Sequence, residues 1–308
     1  MHRHQNFSTK IHYVSVILIS ACLLIGFSQY GIAGTTDPNL AVILTTPPQE
    51  AMLQPPSIKR ILDRGKLIVA MYSGDTPPFY FTDKNGELTG VDVYLIKGFA
   101  QLLKVDIEFN RDAKTFDGVI RKVAEREADV GISKLGITFP RAMKIRYTIP
   151  YIMLYEGLLI NRIELTKQAK GREQREVIQN LKGKIGVIAR SSYVENAKDR
   201  FMNMTIMGYP KWPQVVEAAV KGEVIAAYRD ETEIKKIIRD KPDIALKFLT
   251  VVLKDAPDPK AMVVAWDSYH LLELLNLYIS KLDLNLSANK VLDNYNELIE
   301  EIKKKTRQ

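Results

Sequence analysis

Three short stretches carry residues whose types and spacing suit ligand chemistry. In Gly136-Ile137-Thr138-Phe139-Pro140-Arg141, Thr138 is a good N-cap and Pro140 suits a first helical turn. Arg141 then sits at the end of a helix where the macrodipole is already positive. Two readings follow: an anion held between the guanidinium and free backbone N–H groups, or an arginine facing solvent, where the dipole costs little. In Arg190-Ser191-Ser192, hydroxyls follow the apolar run Ile185–Ala189, where they can cap a helix or donate to an anion. In Arg229-Asp230-Glu231, Asp230 follows the run Val224–Tyr228, where it caps a helix or accepts from an ammonium group. Taken singly, the two capping readings suffice. Taken together, an arginine from one half of the chain and an acid with hydroxyls from the other complement a small zwitterion. Tyr72, Phe79 and Phe116 fall near the same strand ends, as core or as ligand wall. Phe116 suits a wall best, because it opens a helix directly after a strand.

The rest of the composition removes other chemistries. Cys22 is the only cysteine, and three of the four histidines (His2, His4, His12) lie in the first dozen residues, leaving His270. A Cys-based zinc site, a Cys nucleophile and a His cluster are therefore excluded from the remainder of the chain. A Ser-His-Asp triad would need His270, whose surroundings read as helix. Neither a Walker-type loop nor a dinucleotide glycine fingerprint is present. No cofactor and no metal is expected. Lysines and arginines are spread along the chain, which reads as a solvated surface and not as a nucleic-acid site.

Residues 1–13 are polar and slightly basic, Val14 to Phe27 is apolar, and small residues follow to Gly34. That order is a secretory signal peptide, 1–33, cut after Ala33. A lipidation site at Cys22 is the alternative; against it, the apolar run continues through Leu23-Leu24-Ile25. Loss of Arg3 and Lys10 with the leader takes the formal charge from +8 to +6. Residues 34–56 are rich in Thr and Pro and read as a tether. Folded sequence starts near Ser57, which can cap a short helix through Asp63.

Two matching units follow. In the first, Leu67–Met71, Val105–Phe109 and Asp129–Ser133 read as strands, with helical spacing over Val91–Leu103 and Phe116–Val123 between them. Asp83-Lys84-Asn85-Gly86 marks a hairpin turn. In the second, Ile185–Ala189, Met204–Met207 and Val224–Tyr228 read as strands. Helices over Ser192–Phe201 and Trp212–Val220 separate them, the latter ending at a Lys221-Gly222 C-cap signal. Repeated strand-helix-strand units imply two α/β lobes with largely parallel sheets, which bind ligands outside the carboxyl ends of their strands.

Pro77-Pro78-Phe79, Gly86–Val93, Phe116-Asp117-Gly118, Ala128–Ile132, Ile137–Arg141 and Pro150-Tyr151 together resemble the extracytoplasmic solute-binding proteins of family 3, the polar amino-acid receptors of ABC importers. Leu181–Val187 and Val224–Asp230 resemble the same family's second lobe. The likeness covers about residues 57–308 and keeps the family's motif order. It implies a two-lobed periplasmic-binding-protein fold of type II, each lobe a largely parallel sheet flanked by helices. Lobe 1 would be 57–153 plus 258–308 and lobe 2 would be 154–257, with hinge crossovers near 152–157 and 253–260. It implies that Arg141 grips an α-carboxylate, Asp230 holds an α-ammonium and Ser192, with Ser191 beside it, meets the carboxylate. Phe116 would stack on the ligand, and Ser133, Lys134 and the residues to Gly136 would donate backbone groups. Gly136 departs from a common hydroxyl residue, Arg190 from a glycine and Thr76 from an aromatic; Arg146 and Ile149 replace acids. Lys134, Arg190 and Arg229 would make the cleft more positive and suit an acidic ligand, or else point to solvent.

The function implied is a monomeric periplasmic receptor, not an enzyme. It would capture an amino acid or related carboxylate and deliver it to the membrane permease of an ABC importer. Cyclohexadienyl dehydratases resemble the same family and provide an enzymatic alternative, with Glu231, Glu195 and Lys134 as candidate general acids. A sensory binding module is a third reading.

Overall fold

The computed structural model describes residues 54–307. The leader, the choice between Ala33 cleavage and Cys22 lipidation, and most of the 34–56 tether lie outside the described residues. Helix α1 (Pro56–Arg64) has Pro55 as its N-cap residue, so Ser57 lies inside the helix and does not cap it. Proline at the first position explains the start: its missing N–H would have had no helical partner there.

Strand β1 (Lys66–Tyr72) leads into a small hairpin, β2 (Phe81–Thr82) and β3 (Leu88–Thr89), closed by the Asp83–Gly86 turn. Helix α2 (Val91–Leu103) begins after Gly90, whose φ is 123°. A side chain there would lie 2.3 Å from the Phe79 carbonyl oxygen, so only glycine fits. Strand β4 (Asp106–Ala113), helix α3 (Phe116–Ala124) and strand β5 (Val130–Gly136) complete the first unit. Every residue of β5 is buried, as befits an inner strand, and its apolar run is interrupted by the buried Ser133 and Lys134. Helix α4 (Phe139–Ala142) and strands β6 (Ile145–Tyr147) and β7 (Ile152–Asn161) follow.

Helices α5 (Arg162–Ala169) and α6 (Gln174–Gln179) precede the second unit: β8 (Gly183–Ile188), α7 (Ser192–Arg200), β9 (Met204–Tyr209), α8 (Trp212–Lys221), β10 (Ala226–Asp230) and α9 (Glu231–Asp240). Gly222 closes α8 in the left-handed conformation that the Lys221-Gly222 pair predicts. After α10 (Ile244–Lys247) come the long strand β11 (Phe248–Ala265) and helices α11 (Tyr269–Leu282), α12 (Ala288–Asp293) and α13 (Tyr295–Thr306).

Nine strands form one sheet in the order β4-β1-β5-β11-β7-β10-β8-β9, with β6 on β11. Strand β1 is parallel to β4 and β5, and β8 is parallel to β9 and β10. These two parallel sets are the hearts of the two lobes. Strands β7 and β11 join them, each antiparallel to its neighbours. Their ladder runs to Leu253↔Glu156 and resumes at Pro257↔Tyr155, so Lys254, Asp255 and Ala256 bulge out. Residues 152–157 and 253–260 lie on these two strands. Leu67, Val69, Ile132, Val263 and Leu275 pack in the larger core. Leu158, Ile185, Phe201 and Tyr228 form a second, with Phe201 and Tyr193 edge-on to the Tyr228 ring.

Candidate functional site

The carboxyl end of β5 meets the carboxyl end of β10 where the lobes join. Phe116, Lys134, Gly136 and Arg141 come from one side, and Ser191, Ser192, Tyr193, Arg229 and Asp230 from the other. Between them lies a cavity of only about 10 Å³, at the lower limit for a single water molecule. Protein atoms fill the rest. A shallower groove of about 270 Å³, lined by Asp117, Thr138, Arg141, Arg190, Ser192 and Glu195 among others, adjoins it outside. Entry of a solute the size of an amino acid requires the lobes to part.

Asp230 is fully buried and serves two roles that the sequence left as alternatives. It caps α9, accepting from the N–H groups of Thr232 at 3.2 Å and Glu233 at 3.4 Å. It also accepts from an ammonium group, and that group belongs to the protein: Lys134 Nζ lies 3.0 Å from both carboxylate oxygens. The Thr232 hydroxyl donates to the same carboxylate. Burial alone would raise the Asp230 carboxyl, but Lys134, Arg229 and Lys260 outweigh it and hold it below the usual aspartate range.

Lys134 is buried and spans the lobes. Its Nζ also donates to Thr232 Oγ1 at 3.1 Å and Glu233 Oε1 at 2.9 Å, and lies 4.5 Å from the centre of the Phe79 ring. Its backbone has a φ of 51°, unusual for a side-chain-bearing residue within a strand. Asp92, in the first turn of α2, accepts the Lys134 N–H at 2.7 Å and pairs with the Tyr151 hydroxyl at 2.9 Å. Burial pushes the Asp92 carboxyl up to about 7, against the lowering effect of those two hydrogen bonds.

Arg141 is also buried, which removes the solvent-facing reading. Arg141 lies in α4, a helix of four residues whose N-cap residue, Thr138, makes no side-chain capping bond. Its partner is Asp117, in the first turn of α3. Nε and Nη2 donate to Asp117 Oδ1 at 2.9 and 2.8 Å, while Nη1 donates to the Gly136 carbonyl at 3.1 Å. The Asp117 side chain is 50% exposed, against 7% for Arg141. The Asp117 N–H donates across the lobes to the Arg190 carbonyl.

The remaining expected residues divide. Ser192 packs against Gly136, so closely that a side chain at 136 would lie 2.4 Å from Ser192 Oγ. The Ser191 hydroxyl turns back to the Ile188 carbonyl at 2.6 Å and caps nothing. Phe116 lines the cavity and stacks on Tyr72, ring centres 4.7 Å apart. Ser133 accepts the Tyr72 N–H, which turns its hydroxyl to β1 and away from the cavity. Arg190 is exposed. Arg229 is buried, with Nη1 3.5 Å from Glu233 and the guanidinium over the Trp212 ring; its Nε has no hydrogen-bond partner. Thr76 is buried and donates to the Tyr80 hydroxyl, and Arg146 packs over Tyr269.

Five residues escape sequence reading: Asp117 as the partner of Arg141, Glu233, Tyr193 and the hinge pair Asp258 and Lys260. Tyr193 donates to Asp258 at 2.6 Å and accepts from Lys260 at 3.0 Å, and Lys260 lies 2.5 Å from Asp258. The Asp258-Pro259-Lys260 spacing puts both side chains on one face of β11, a usable signal. Nothing near Tyr193 announces its hydroxyl's destination. Each of the two acids considered for catalysis has a partner, and Glu195 also lines the outer groove. Glu231 accepts the Tyr155 N–H and pairs with Lys235, and Glu195 pairs with Lys198. His270 is half-buried on α11, near Glu273. Among the described residues, no group of acids, histidines or cysteines could hold a metal ion. No described helix is long and apolar enough to cross a membrane.

Two parallel-sheet lobes, two shared hinge strands and opposite charges converging at the joint define a two-lobed solute-binding fold. The chain belongs to the bacterial extracellular solute-binding proteins, family 3, with a match over residues 68–307. It is 30% identical over 146 residues to a membrane-bound lytic murein transglycosylase F of Saccharophagus degradans, covering 47% of this chain and 27% of that protein. An L-cystine-binding protein of Escherichia coli is 24% identical over 188 residues, 60% of this chain and 66% of that one. The chain thus spans about a quarter of the first relative and about two thirds of the second. Among solved structures, the L-arginine-bound substrate-binding protein AbpA of Streptococcus pneumoniae superposes with a TM-score of 0.62 at 24% identity. That match covers 79% of this chain and 98% of that one, and at this identity the likeness shows the fold.

Proposed function

We propose that this chain is a periplasmic receptor that captures an amino acid or related small carboxylate between its lobes and hands it to the permease of an ABC importer. The lobes are taken as 57–153 with 258–308, and 154–257. One observation carries the reading: a buried arginine from one lobe and a buried carboxylate and hydroxyl from the other line a single cavity. The name of the cystine-binding relative supports the solute class.

Arg141 is the anchor. Its present partner, Asp117, is half exposed and can move into water, leaving two guanidinium donors for a ligand carboxylate. Charged hydrogen bonds of this kind contribute ~1.5–3 kcal/mol each, a substantial part of the roughly −8 kcal/mol of a micromolar complex. Closure of the hinge over the solute excludes water and strengthens each contact.

A thermal-shift screen of amino acids and small carboxylates, followed by calorimetry on any hit, tests the reading. The expected result is at least one ligand that raises the melting temperature and loses about 100-fold in affinity in Arg141→Ala. Unchanged affinity in that variant would remove the site.

A further inference from the structure

We infer that Lys134 is a specificity-determining residue whose ammonium group occupies the cation half of this cleft, so that the solute taken is a carboxylate without an α-ammonium group. This rests on the receptor reading above and narrows it.

The two charged partners that a zwitterion would need are already taken by protein groups, and they are taken very differently. At Arg141 the stand-in is Asp117, whose side chain is 50% exposed and can leave for solvent. At Asp230 the stand-in is Lys134, whose side chain is 3% exposed. Lys134 Nζ spends its donors on Asp230, Thr232 and Glu233 and sits against Phe79. Asp230 has little acceptor capacity left, since it also receives the Thr232 hydroxyl and the two capping N–H groups. Withdrawal of Lys134 would leave two buried carboxylates to be re-paired and a long cationic side chain to be re-housed. Asp92 holds the Lys134 N–H and so fixes where the side chain starts.

Charge balance points the same way. Lys134, Arg141, Arg229 and Lys260 face Asp117, Asp230, Glu233 and Asp258. A ligand carboxylate that takes the place of Asp117 on Arg141 exchanges one negative charge for another. An α-ammonium would bring a second cation next to Lys134 Nζ, and like charges in a dry site repel strongly. Among the cavity-lining residues, Arg229 Nε, on a 3%-exposed residue, has no hydrogen-bond partner, its nearest carboxylate oxygen being Asp230 Oδ2 at 3.7 Å. It asks for an acceptor atom, which a carboxylate supplies and an ammonium does not.

The test is calorimetry on the full chain with matched pairs differing in the α-ammonium: succinate and L-aspartate, glutarate and L-glutamate, propionate and L-alanine, 6-aminohexanoate and L-lysine. Within at least one pair, the partner without the α-ammonium is expected to bind at least 10-fold more tightly. In Lys134→Met, which frees Asp230 and Glu233, the amino-acid member of that pair is expected to gain at least 10-fold. If that variant does not fold, the wild-type pairs decide alone. An amino acid that binds wild type as tightly as its deaminated partner, through Arg141, overturns the inference and leaves the receptor reading intact. A preference that persists in folded Lys134→Met also overturns it, because another residue then causes it. Silence from all eight probes in both proteins removes the receptor reading, and the inference falls with it.

Discussion

Asp92 offers the sharpest link between local chemistry and global stability. Its carboxyl is held at about 7 in the fold against an ordinary value of 3.8. The folded form therefore keeps a proton that the unfolded chain has already released. Between pH 4 and pH 7 the unfolded state binds fewer protons than the folded state, so stability falls as pH rises. A gap of about 3 pH units, at 1.36 kcal/mol each, amounts to ~4 kcal/mol lost by pH 8. Asp92→Asn copies the protonated form: its carbonyl can accept the Lys134 N–H and its amide can meet the Tyr151 hydroxyl. The variant and wild type should match near pH 4, and the variant should be the more stable by up to ~4 kcal/mol at pH 8. Urea unfolding at four or five pH values measures the difference curve and cancels every other titrating group. A flat difference between pH 4 and 8 would show that Asp92 ionises normally in the fold and refute the reasoning. Asp230 has the opposite sign. Its lowered carboxyl contributes stability above the ordinary aspartate range, and that contribution fades as pH falls through it.

Gly90→Ala should destabilise the protein by roughly 3 kcal/mol, because the new methyl meets the Phe79 carbonyl at 2.3 Å and the backbone φ is 123°; the urea midpoint reads it. Gly136→Val should wedge Ser192 away and hold the lobes apart, since even a first carbon there lies 2.4 Å from Ser192 Oγ. Small-angle scattering should then give a larger radius of gyration than wild type, and an unchanged radius would show that Ser192 simply rotates aside.

Local periodicity and turn chemistry made most of the architecture readable. The apolar runs at Leu67–Met71 and Ile185–Ala189 became inner parallel strands because a strand covered on both faces has no room for polar alternation. Gly222 and the Asp83–Gly86 turn announced themselves through backbone conformations few other residues adopt. Ser57 misled, because a cap residue and a helix-interior residue look alike when two prolines precede it. Helices α5 and α6 carry few buried residues, so no hydrophobic stripe marks them.

For the site, the sequence by itself determined which charges stand at strand ends and that an arginine, an acid and hydroxyls belong to two matching units. Strand order and hinge geometry alone decided who faces whom. Lys134 and Asp230 are 96 residues apart, and Arg141 and Asp117 are 24 apart. The first pairing depends on how the two lobes fold back along β7 and β11, the second on how α3 and α4 pack within one lobe, and no local pattern encodes either. That is the physical reason a cleft legible as a zwitterion site from residue types proves, once folded, to hold its own lysine on the acid.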